Sequence, residues 1–121
     1  LIFGAVYRHM ISDENLAPRA THVLYTHITM AFAVLVLAVI VGIRGRARGS
    51  ASLLRSGTLL LILVCVQILL GGGALIVLIL SDGVNIPLYE VLMTTAHQAN
   101  GALLLANSVV IWAWIARSKS L

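Results

Sequence analysis

The stretch SGTLLLILVCVQILLGGGALIVLIL, residues 56–80, carries no charged residue, and it is longer than the ~20 apolar residues that cross a hydrocarbon core. Residues 23–43 and 91–116 repeat the pattern and are likewise free of charge. Around these runs the whole chain of 121 residues is 60% apolar and 10% charged, with a mean hydropathy of +1.04. A water-soluble globular domain is excluded by that balance. The fold class expected is all-α, an integral membrane up-and-down four-helix bundle. Its first helix is truncated to residues 1–7, an apolar tail that begins with Leu rather than Met. The whole of 1–121 is then one transmembrane helical-bundle half, with spans at 1–7 (partial), 23–43, 56–80 and 91–116.

The connecting segments are too short to be domains, and their charges fix an orientation. Arg44, Arg46, Arg48 and Arg55 share one segment, and Arg117 and Lys119 follow the last span, so six of the eight cations lie on one side. Lys and Arg are retained on the cytoplasmic side during insertion, which makes that side the inner one. Asp13, Glu14, Asp82 and Glu90 fall on the opposite side with Arg8 and Arg19. The net charge of +4 is therefore a topology signal, and with no basic patch on a solvated face it predicts no nucleic-acid partner. Trp112 and Trp114 close the last span at the inner interface, where indoles prefer to sit. Cys65 is the single cysteine, which excludes an intramolecular disulfide or a Cys-x-x-Cys site and reads as a small buried apolar side chain.

The two spans that run from outside to inside resemble each other. Tyr25-Thr26-His27-Ile28-Thr29-Met30-Ala31 aligns with Thr95-Ala96-His97-Gln98-Ala99-Asn100-Gly101. Each places a His roughly 6–9 Å below the outer end of its helix, at 1.5 Å per residue. His27 and His97 are the ionisable residues below the interface, and an ionisable group inside a span has a partner or a task. A neutral His hydrogen-bonded to a neighbouring helix satisfies that rule for either one alone. Two at matching depth also suit axial ligation of a haem iron, which takes two neutral imidazoles on opposite faces of a macrocycle. Ala31 and Gly101, one turn deeper than each His on the same face, leave room for such a ring.

The middle span adds Gly71, Gly72 and Gly73, each up to about 1 kcal/mol worse than Ala in a helix. Close helix packing accounts for three glycines in a membrane helix; a smooth wall at Gly71 and Gly72 for a bound haem is compatible with it. Gln67 lies deeper and is expected to hydrogen-bond an adjacent helix. His9 and His22 stand at or outside the interface and read as solvated. Arg8 and Arg19 are interfacial anchors able to pair with haem propionates. Glu90 reads as a solvated loop carboxylate at the outer mouth.

In order along the chain stand Gly4, Ala5 and Arg8, then His27, then Gln67, Leu70 and Gly71, then His97, Gly101 and Ala102. This order resembles the haem A synthase family, over nearly the whole chain and in one four-helix half of that family's eight-helix, pseudo-twofold architecture. The resemblance implies an enzyme of haem A biosynthesis that oxidises the methyl group of haem O. Each half of such proteins holds a haem between a His of its second helix and a His of its fourth, which correspond to His27 and His97. Leu24 stands where the substrate half usually has a Glu, and the cysteine pair of many first outer loops is absent. The haem-b-binding half is therefore the closer match, with haem O and haem A as substrate and product elsewhere.

The partners implied are haem, the lipid bilayer, haem O synthase, and either a missing N-terminal half or a second copy as a homodimer. The membrane is the bacterial plasma membrane or the mitochondrial inner membrane, with the haem site toward the outer side. A membrane cytochrome b that only relays electrons fits His27 and His97 equally well. A cofactor-free structural subunit, with both His residues bonded across helices, is the third reading.

Overall fold

The computed structural model describes residues 10, 17–47, 50–80 and 87–117. Three helices follow one another: α1 (Ala17–Arg46), α2 (Ala51–Leu80) and α3 (Leu88–Arg117). The expected partial span at residues 1–7 lies outside the described residues, with Arg8 and His9. Each helix has 30 residues, or about 45 Å at 1.5 Å per residue, against about 30 Å of hydrocarbon. All three are long and apolar enough to cross a membrane by length and composition.

The helix ends follow local chemistry. Pro18 stands in the first turn of α1, where its missing N–H costs nothing and its φ suits a helix. Ser50 caps α2: its hydroxyl accepts from the Leu53 N–H at 3.2 Å and its carbonyl from the Leu54 N–H at 2.9 Å. The Pro87 carbonyl accepts from the Glu90 N–H at 3.0 Å to open α3, and Glu90 in that first turn complements the helix dipole. Arg44 and Arg46 lie in the last turn of α1 and Arg117 in that of α3. Arg44, Arg46 and Arg55 are therefore on helix ends, because the helices continue past their apolar runs.

The chain divides into two compact units, residues 1–37 and 38–121. In the first, α1 buries Ala20 and leaves Tyr25, Ile28, Met30 and Phe32 exposed. Thr26 and Thr29 donate their hydroxyls to the carbonyls of His22 and Tyr25, satisfying both within the helix as an apolar medium requires. In the second, α2 and α3 pack antiparallel along their length, with Leu53, Leu60 and Ile111 buried and Ala38, Leu104 and Ile115 against them.

Within this second unit the C-terminal part of α1 meets α2 by glycine contact. A Cβ at Gly57 would meet the Gly42 carbonyl oxygen at 2.7 Å, and a Cβ at Gly42 would meet Leu61 at 2.8 Å. Only two glycines allow the backbones of α1 and α2 to approach so closely. The exterior is apolar and the seam partly polar: Leu69, Ile79 and Trp112 are exposed, while Asn100 and Asn107 are buried. That inversion of the soluble pattern is what lipid as solvent demands.

Two sequence readings are corrected here. Cys65 is exposed on α2, because the outward face of a lipid-facing helix is as apolar as its seam and gives no signal of burial. Glu90 is a buried helical residue, 4% exposed, in the first turn of α3 and not in the loop before it.

Candidate functional site

The polar side chains of the second unit gather on the seam between α2 and α3. Positions 56, 60, 63, 67 and 71 on α2 recur every three to four residues and so share one face. Positions 93, 97, 100, 104, 107 and 111 do the same on α3. Toward the C-terminal end of α3, Asn107 donates its Nδ2 to the Ser56 carbonyl at 2.9 Å. Higher up, Asn100 donates its Nδ2 to the Leu63 carbonyl at 2.9 Å and to Gln67 Oε1 at 2.7 Å. With Oε1 so occupied, the Gln67 amide turns its Nε2 toward His97, at 3.1 Å from Nδ1 and 3.3 Å from Nε2 of the ring.

His97 is thus held from two sides of one helix turn. Gln67 supplies the polar contact, and Gly71, four residues on, supplies space. A Cβ at Gly71 would come within 2.9 Å of His97 Cε1 and 3.3 Å of Nδ1. The imidazole therefore lies with its Cε1 edge on the bare α2 backbone. Gly73 makes the same accommodation for Met93, whose Cε would stand 2.7 Å from an added Cβ. Gly72, between them, faces open space. Close packing explains Gly71 and Gly73 but not Gly72.

Of the residues singled out from the sequence, His97 and Gly71 are brought together, and Gln67 bonds the adjacent helix as expected. Gly72 points away from that seam. Gly101 is half-buried on α3, one turn beyond His97. In the first unit His27 is half-buried on α1 and Ala31, one turn deeper, is exposed. Arg19 and His22 are exposed as interfacial residues should be. Among the described residues no three His, Cys, Asp or Glu side chains come together, so the candidate donors are single imidazoles.

The sequence reading missed Asn100 and Asn107. A signal existed: both carry a polar amide inside an uncharged span, at positions three and ten residues beyond His97 and in register with it. A search restricted to ionisable groups passes over such neutral amides, although in lipid they too must find partners.

Compared with known proteins, the chain matches no family model, no curated protein and no solved structure.

Proposed function

We propose that the chain is a haem-binding part of a membrane oxidoreductase of haem A biosynthesis, in which haem O is oxidised to haem A. His27 and His97 would hold the iron of an electron-transferring haem b. The single observation that carries this reading is the treatment of His97. A membrane helix places an imidazole on a seam and reserves a glycine, Gly71, for its ring. A neighbouring amide then donates toward its nitrogens. A donor aimed at the ring needs an unprotonated nitrogen, which is the form that ligates a metal. Gly101 keeps the next turn of α3 free of bulk, and Arg19 at the outer end of α1 suits a propionate.

When bound, a haem b supplies one-electron transfer at a potential tuned by its axial ligands and their hydrogen bonds. The chain's own part is to present neutral imidazoles, exclude water with apolar helices and orient the rings. The family resemblance in the order of Arg8, His27, Gln67, Gly71, His97 and Gly101 supports haem A biosynthesis over simple electron relay.

The test is expression of the full-length natural protein with haem O synthase. The expected outcome is a purified protein with the spectrum of six-coordinate low-spin haem and, by pyridine haemochrome analysis, haem A. His27→Ala and His97→Ala should each abolish or greatly alter that spectrum. Low-spin haem without haem A would instead favour the electron relay.

One observation favours a second reading. The bond from Gln67 to His97, with Asn100 and Asn107 along the same seam, is also what a cofactor-free structural subunit would use to lock α2 to α3. Purified protein lacking a Soret band would select that reading.

A further inference from the structure

Charge is spread unevenly over the second unit. Its acids, Asp82 and Glu90, belong to the junction of α2 and α3, whereas Arg44, Arg46 and Arg55 belong to the opposite ends of the helices. No Asp or Glu occurs between residues 14 and 82 or after residue 90. From Glu90 to the far end of α3 is about 40 Å at 1.5 Å per residue, well beyond the ~8 Å at which physiological salt screens a charge. All three arginines are exposed, and the chain supplies them with no carboxylate side chain at their own end.

Interhelical contacts bring the three to that one end of the unit. A Cβ at Gly45 would stand 3.6 Å from the Leu53 carbonyl oxygen, and one at Gly57 would stand 3.1 Å from both Cγ and backbone N of Arg46. Arg46 therefore lies at the α1–α2 contact, with its stem seated on bare backbone. Arg44 is two residues after Gly42 and Arg55 two before Gly57, a turn of about 200° in each helix. Both leave on sides turned away from that contact. Each also borders an apolar run, since 23–43 ends just before Arg44 and 56–80 begins just after Arg55. Cations that diverge in this way do not enclose a small anion, which takes several donors on one centre. They fit a plane of phosphates, each guanidinium meeting a different one with its bidentate fork.

We propose that this end of the α1–α2 hairpin binds acidic phospholipids, with Arg44, Arg46 and Arg55 each pairing with the phosphate of a separate lipid. Such flanking cations direct insertion; once inserted they still require a counter-charge, which the leaflet provides. A lipid of net negative charge serves better than a zwitterionic one, whose ammonium offsets its own phosphate. Near an anionic surface each arginine is worth about fivefold in affinity. The inference depends on neither haem nor His97.

The test is native mass spectrometry of the full-length protein in neutral detergent, titrated with phosphatidylglycerol, phosphatidylcholine or inorganic phosphate. Wild type is expected to bind phosphatidylglycerol at least about fivefold more tightly than phosphatidylcholine, and to keep it when inorganic phosphate is in excess. The triple variant Arg44→Gln, Arg46→Gln, Arg55→Gln retains Arg48, Arg117 and Lys119 to direct insertion and should lose most of that preference. The triple variant Arg44→Lys, Arg46→Lys, Arg55→Lys should keep most of it, which separates loss of charge from loss of fold. Equal binding of the two lipids by wild type overturns the proposal, as does an undiminished preference in the glutamine variant or a lysine variant as impaired as the glutamine one. Displacement of the lipid by inorganic phosphate would mean a small-anion site and overturns it as well.

Discussion

At the scale of single residues, the decisive contact is the imidazole of His97 against a backbone with no side chain. Gly71→Ala puts a methyl within 2.9 Å of the ring, and either ring or helix must yield. The expected cost is about 1–3 kcal/mol, the range for overpacking a filled site, read as a lowered midpoint of unfolding in detergent. Asn100→Ala removes two donations at once. Interhelical hydrogen bonds in membranes average about 0.6 kcal/mol and reach about 1.7, so the expected loss in the same assay is about 1–2 kcal/mol. Asn107→Ala, with one bond to Ser56, should lose about half as much. An Asn107 effect equal to or larger than that of Asn100 would refute this ordering.

At the scale of helices, two glycine positions that look alike in sequence have different environments. Gly57 faces the Gly42 carbonyl, where an added Cβ would sit at 2.7 Å, whereas Gly72 faces open space. Ala is the better helix former by about 1 kcal/mol, so the two substitutions should have opposite signs. Gly57→Ala is expected to destabilise the α1–α2 hairpin and Gly72→Ala to stabilise the protein by up to about 1 kcal/mol, both measured by unfolding in detergent. The helices themselves were legible in the sequence, as uncharged runs set between charged segments. Their ends were less so, since Arg44, Arg46 and Arg55 read as loop but belong to helices. Which side of each helix faces inward was not legible from apolar periodicity. Lipid and seam are equally apolar, and the residues that mark the seam are Gln67, His97, Asn100 and Asn107. Two of those four, His97 and Gln67, were identified from the sequence; the two asparagines were not, because a neutral amide becomes informative only when its partner on the other helix is seen.

At the scale of the molecule, the exterior of described residues is a lipid-facing surface with polarity concentrated on one seam and at the helix ends. Cys65 tests this directly. Being exposed on α2 in the middle of an apolar run, it should resist a charged, membrane-impermeant maleimide in intact membranes and react after denaturation in dodecyl sulfate. Rapid modification in intact membranes would mean that water reaches that face. The same arrangement predicts that a reporter joined after Leu121 lies in the cytoplasm or its equivalent, since six of the eight cations gather on that side.

The vacant surroundings of Gly72 offer an observation post. A nitroxide or fluorinated group attached at that position, once Cys65 is replaced so that Gly72→Cys is the single thiol, would stand one residue away from both glycines that cradle α3 and would disturb neither. From there a ring movement at His97 could be followed by magnetic resonance from outside the seam, without altering any of the groups that take part in it.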